Sequence, residues 1–188
     1  MKLLTGSFLL LYLMAGYATQ TCAEGGAGNI VNVPFGDRID GRIFNYNRTT
    51  PDIATAGLIK EGGVDLLAAE GFKSVIDLRT PPEGTEVEQA AMKIAGIEYT
   101  NIPIGKEAPS SEDLRRFASI VNDQGRGPLL VHCVSANRVG TLWAMHRVST
   151  GVPLETALEE GRTVGMKPSR ESNVVEFAAK LASSSRSQ

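Results

Sequence analysis

The stretch "LLVHCVSANRVGTLWAMHRV", residues 129–148, sets one cysteine, Cys133, between an apolar run and a helical run, with Arg138 five positions further on. A strand that runs through a short polar loop into a helix places that loop where unpaired helical N–H groups and the positive end of the helix dipole converge. Such a corner binds anions. A thiolate is an anion too, so the same groups favour it and make Cys133 a candidate nucleophile. The planar fork of Arg138 can hold two oxygens of a phosphate or sulfur oxyanion while the thiolate attacks the central atom. The plainer reading is a packed thiol beside a surface cation. Cysteine and arginine on one loop, preceded by His132, favour chemistry, with His132 expected to orient the loop by hydrogen bonding rather than to act as a base.

The elements around this loop alternate. "RIFNYN" (42–47) reads as an edge strand, and residues 60–70 read as a helix closed by Gly71. "KSVIDL" (73–78) has the composition of a buried strand and leads into the turn "RTPPEGT". A helix over 86–95, a strand over 97–104, a helix over 111–122 capped by Ser110 or Ser111, and a strand at 128–131 follow. Beyond residue 138 the pattern is helical, over 139–149, 154–163 and 172–181. Strands separated by helices imply an α/β fold, a mostly parallel central sheet flanked by helices, with a helical C-terminal part.

At 188 residues with 42% apolar content the chain can bury one good core. Residues 1–23 read as a signal peptide: Lys2, the apolar run "FLLLYLMAG" (8–16), and a small-residue cleavage site at Thr21-Cys22-Ala23. A membrane anchor or a lipid-modified Cys22 are the alternatives, though the apolar run is short of a membrane span. Export to the periplasm or beyond is expected, with no stable membrane association after cleavage. Residues 24–41 are a Gly-rich lead-in, 42–182 one domain, and 183–188 a polar tail. Once Cys22 leaves, Cys133 has no partner for a disulfide within the chain. The charge balance is mildly acidic without a basic run, so a nucleic-acid partner is not expected. His146 lacks clustered ligand partners, and neither a metal set nor a cofactor motif is seen.

"VHCVSANRVGTLWAM", with "NYNRTTPDIATAG" (45–57), "GFKSVIDLRT" (71–80), "IPI" (102–104) and "ALEEGRTVGM" (157–166), resembles the bacterial dual-specificity and tyrosine-phosphatase-like family, often labelled β-lactamase-hydrolase-like. The resemblance covers residues 42–168 and implies a cysteine-phosphatase-like fold. It implies that Cys133 is the nucleophile of a phosphocysteine intermediate, that Arg138 binds the phosphoryl oxygens, and that the amides of Val134, Ser135, Ala136, Asn137 and Arg138 complete the cradle. The implied substrate is a phosphorylated protein or a small phosphate ester.

This chain departs from that pattern in three places. Four residues separate Cys133 from Arg138, where such phosphatases usually have five; four is a spacing found in rhodaneses, so a sulfurtransferase or persulfide carrier is an alternative. Val139 stands where a Ser or Thr often supports the thiolate, leaving Ser135 or Thr141 as substitutes, and Ala136 stands where glycine is common. The general-acid aspartate is missing from "IPIGKEAPSSED", which leaves Glu107 as the candidate acid, since Glu112 and Asp113 suit the first turn of a helix. A domain that keeps the cradle without the acid would bind phosphate only. Asp77 and Arg79 are expected either to form a buried ion pair under the loop or to touch substrate, and Arg162 either to close over the site or to pair with Glu159. Trp143 and Met145 are expected in the core.

Overall fold

The structure is a computed structural model and describes residues 38–185. The signal peptide, Cys22 and all but the last four residues of the lead-in lie outside the described residues. Five strands form one sheet: β1 (Asn47–Arg48), β2 (Ile53–Ala56), β3 (Ser74–Asp77), β4 (Glu98–Asn101) and β5 (Leu129–His132). Their spatial order is β1-β2-β5-β3-β4, with β1 antiparallel and the other pairings parallel. The strand that carries the cysteine is therefore central, flanked on both sides and buried at every position, as parallel strands covered by helices must be.

Helices α1 (Gly63–Ala69), α2 (Thr85–Ile94), α3 (Ser111–Val121), α4 (Asn137–Ser149), α5 (Leu154–Val164) and α6 (Glu171–Ser185) cover the two faces. The period-2 alternation of the strands divides their side chains between two cores. Ile76, Leu129, Val131 and Cys133 pack with Phe117, Leu142 and Leu158 of α3, α4 and α5. Val75 and Leu130 pack on the other face with Leu67 of α1 and Met92 of α2. Trp143 and Met145 join the first core, and Trp143 Nε1 donates to Glu160 at 2.9 Å.

Helix α4 is buried over Val139–His146, which explains why its sequence carries no amphipathic stripe. It lies so close to α5 that a Cβ on Gly140 would stand 2.4 Å from the Gly161 carbonyl oxygen and 2.6 Å from the Met166 nitrogen. Only glycine permits that approach. Ser110 caps α3 through a reciprocal pair with Asp113, so the acids at 112 and 113 serve the helix start.

Several boundaries differ from those the sequence predicts. The edge strand lies at Asn47–Arg48 rather than over 42–47, and β2 is a strand that the pattern does not announce. Gly62, at φ 71°, delays α1 to Gly63. Helix α6 runs to Ser185, into the stretch read as a polar tail. Arg162 neither covers the loop nor pairs with Glu159; it donates to Glu171 at 2.8 and 2.7 Å and ties α5 to the start of α6.

Candidate active site

The register aligns three strand ends beneath the loop: Ala56 and Asp77 both stand opposite His132. The chain then leaves the sheet at Cys133, turns through Val134, Ser135 and Ala136, and enters α4 at Asn137. Ala136 makes the turn with φ 64°, a left-handed conformation that costs an alanine about 1 kcal/mol. What holds it there is packing: a Cβ on Gly165 would lie 2.9 Å from the Ala136 Cβ. Asn45 Nδ2 braces the turn by donating to the Ser135 carbonyl at 3.3 Å, and Asn137 Oδ1 accepts from the Lys167 N–H at 2.8 Å. Thr141, a candidate support for the thiolate, is committed elsewhere, since its hydroxyl donates to the Asn137 carbonyl at 2.8 Å.

Cys133 is 1% exposed and is a free thiol. Arg138 reaches back over it, held by a partner that local spacing does not announce: Glu83, in the turn after β3. Arg138 Nη1 donates to Glu83 Oε2 at 2.8 Å and to the Ile104 carbonyl at 3.0 Å, and Nη2 donates to Glu83 Oε1 at 2.7 Å. Glu83 is fixed in turn by the Thr80 N–H and hydroxyl, each donating at 2.8 Å. Hydrogen bonds from Arg138 first, and from Thr80 against the cost of burial, hold the Glu83 carboxyl at about 2. Glu83 and the Cys133 sulfur both raise the Arg138 pKa, Glu83 the more. A guanidinium has five N–H groups. Two on Nη1 and one on Nη2 are used, which leaves the Nε–H and the second Nη2–H, side by side on the edge suited to two oxygens of a tetrahedral anion.

Under the loop lies a buried polar cluster. Arg79 donates from Nε to both oxygens of Asp77 at 3.0 Å, and its Nη2 lies 2.7 Å from Asp77 and 2.8 Å from Glu88 of α2. Tyr99 donates to Asp77 at 2.7 Å, and Asn101 Nδ2 spans the Asp77 and Arg79 carbonyls. Burial pushes Asp77 up, but the bonds from Arg79, the nearby His132 and the Tyr99 hydroxyl outweigh it and keep the carboxyl below its ordinary range. Of the two roles open to Asp77 and Arg79, the geometry is that of the supporting ion pair. His132 Nε2 lies 2.8 Å from Glu88 Oε1, within ion-pair distance but without hydrogen-bond alignment, and Nδ1 makes no hydrogen bond. The ring therefore faces the cluster and does not hydrogen bond the loop.

The fold also brings ligating atoms of Asp77, Glu88 and His132 within 4.8 Å of one another, a grouping invisible to local spacing. Arg79 already supplies the cation these carboxylates face. Glu107 is exposed, beyond β4, and its backbone rather than its side chain is anchored: Arg170 Nη1 donates to the Glu107 carbonyl at 3.3 Å, and Nη2 to those of Gly105 and Lys106 at 2.8 and 3.3 Å. Thr80, Glu83, Gly105, Lys106, Arg138 and Arg170 line one cavity of about 350 Å³ beside Arg138. A larger cavity, about 630 Å³, lies between the edge strand and α4 and α5 and includes none of these residues.

A family described as DSP-PTPase phosphatase fused to NAD+ kinase matches residues 45–178. The β-lactamase hydrolase-like protein of Agrobacterium fabrum is 30% identical over 105 residues, 53% of this chain and 24% of that protein. The chain spans about a quarter or less of the length of the curated relatives it matches. Among solved structures, Tk-PTP in its active form superposes with a TM-score of 0.63 at 22% identity, covering 72% of this chain and 97% of that one. TpbA of P. aeruginosa, solved in complex with phosphotyrosine, gives 0.57 at 22% identity, over 77% and 93%. These likenesses show the fold.

Proposed function

The chain belongs to the family of DSP-PTPase phosphatases fused to NAD+ kinase, and from that premise we propose that it hydrolyses phosphomonoesters through a phosphocysteine at Cys133. The observation that carries this reading is the state of Arg138: Glu83 and the Ile104 carbonyl engage three of its N–H groups and aim the remaining pair away from them. The guanidinium is also close enough to the Cys133 sulfur for that sulfur to raise the Arg138 pKa, after Glu83.

In the proposed reaction two equatorial phosphoryl oxygens accept from Nε–H and Nη2–H of Arg138, and a third lies over the amides that open α4. The Cys133 thiolate attacks phosphorus, the P–S bond forms as the ester P–O bond breaks, and Glu107 gives its proton to the leaving oxygen. Water then gives a proton to the Glu107 carboxylate and attacks the phosphocysteine, the P–S bond breaks, and phosphate leaves with the thiolate and the Glu107 acid restored. The Asp77–Arg79–Glu88 cluster and His132 act as support, fixing the strand end from which Cys133 projects.

Phosphate release from p-nitrophenyl phosphate by the wild-type protein, Cys133→Ser and Glu107→Gln tests this. Turnover abolished in Cys133→Ser is the expected result. Glu107→Gln should lose more on phenyl phosphate, whose leaving group needs the proton, than on p-nitrophenyl phosphate. The four-residue spacing favours one other reading, sulfur transfer, for which stable persulfide on Cys133 without phosphate release would be the sign.

A further inference from the structure

The cavity beside Arg138 carries more positive charge than one phosphoryl group needs. Its wall holds three cations, Lys106, Arg138 and Arg170, against one carboxylate, Glu83, which Arg138 already neutralises. The Lys106 side chain is exposed and makes no hydrogen bond or ion pair among the described residues. Arg170 is anchored through Nη1 and Nη2 on three successive carbonyls, 63 to 65 positions away in the chain. These bonds fix its place and leave its charge without a salt bridge among the described residues. Burial first, and then the neighbouring Arg138, lower the Arg170 pKa, while Cys133 and Glu107 act in the opposite sense. Two guanidiniums on one cavity, with Glu83, the one carboxylate among its described lining residues, already paired, favour an anion between them.

The wall is also wrong for an aromatic ring. Its six residues include no aromatic and no large aliphatic side chain, whereas a phenyl ring held by a protein is sandwiched by apolar groups.

We propose that Lys106 and Arg170 form a second anion subsite next to the phosphoryl cradle, so that the substrate is a small molecule carrying a second phosphate close to the one removed. This rests on the phosphatase reading above. Arg138 binds the scissile group through its free edge, and the second phosphate lies further out, against the Lys106 ammonium and the exposed side of Arg170.

The test is titration calorimetry on the Cys133→Ser protein with inorganic orthophosphate and inorganic pyrophosphate as probes, repeated in Lys106→Ala and Arg170→Ala. Pyrophosphate is expected to bind at least about tenfold more tightly than orthophosphate, the effect of one added charge-assisted contact. Lys106→Ala should cut that preference by about fivefold or more. The Lys106 side chain is exposed, so this variant keeps the fold; Arg170→Ala loosens the 105–107 loop and serves as the second check. Equal affinity for the two anions, a preference unmoved in Lys106→Ala, or tighter binding of a phosphotyrosine peptide than of pyrophosphate would overturn the proposal. Orthophosphate that does not bind at all would instead remove the cradle, and with it the phosphatase reading.

Discussion

Replacing Glu83 by Gln separates an arginine that is oriented by a carboxylate from one that is blocked by it. The substitution keeps the size of the side chain, removes the charge, and turns one acceptor into an NH₂ group facing the guanidinium. The pair is partly open to solvent, with the side chains 13% and 31% exposed, so its contribution to folding is about 0.5–1 kcal/mol. That corresponds to a melting-temperature loss of roughly 2–4 °C for a domain of this size. The effect on turnover is larger. Arg138 keeps the Ile104 carbonyl at 3.0 Å and at most one of its two bonds to residue 83, so the paired contact that sets the angle of its free edge is lost and kcat/KM should fall about 10- to 100-fold, as when one donor to a developing anion is misplaced. Steady-state kinetics on p-nitrophenyl phosphate reads this, and in an Arg138→Lys background the same change should add little, because the two residues act as a unit. A rise in activity in Glu83→Gln would refute the reasoning, since it would mean that Glu83 competes with substrate for Arg138. The pH behaviour follows with a definite sign. The carboxyl is held at about 2 against an ordinary 4.5, so the pair contributes fully above about pH 4.5 and is lost as pH falls toward 2. Glu83 itself therefore contributes no limb to the rate profile between about pH 5 and 7.

Gly165→Ala should disturb the loop from behind. The position has φ 132°, and its Cβ would meet Ala136 at 2.9 Å. Backbone strain and overpacking together cost about 2–4 kcal/mol, visible as a lower melting temperature and weaker phosphate binding in calorimetry. Arg79→Met strips the cation from Asp77 and Glu88, both buried, and should destabilise the domain by about 3–5 kcal/mol. Thermal melts should show the deficit shrinking from about pH 8 to about pH 5, because an unpaired buried Asp77 takes up a proton more readily folded than unfolded. Adding Asp77→Asn to Arg79→Met should recover part of the loss.

The chemistry-bearing loop is legible in the sequence because everything that marks it is local. The apolar run into Cys133, the polar turn and the helix that begins within four residues are all contained in one stretch, and the resemblance of its neighbours supplies the order of the remaining elements. What escapes is long-range. Glu83 meets Arg138 across 55 positions, and Arg170 meets the 105–107 loop across more than 60, so no spacing rule pairs them. A useful signal is still present: an acid in a tight turn shortly after the strand that ends at Asp77, on the same edge of a mostly parallel sheet. Strand β2 escapes for a different reason. "IATA" has a single large apolar residue, and Ala54 and Ala56 are fully buried because a close-packed interior sheet position accepts small side chains. The alternating "RIFNYN" has more of a strand's pattern than the segment that forms one. His132 shows the limit of arguing from adjacency, since the alternation along β5 points its ring to the face opposite Cys133, toward α2.

The central claim is that Cys133 carries the phosphoryl group. The most direct measurement mixes the protein with excess p-nitrophenyl phosphate, quenches within milliseconds in denaturant, and digests the chain for mass spectrometry of the peptide that contains Cys133. The account predicts a phosphoryl adduct on that sulfur, present in the wild type, absent in Cys133→Ser, and longer-lived when Glu107→Gln slows the second step. Phosphate release with no adduct, or an adduct on another residue, would contradict it.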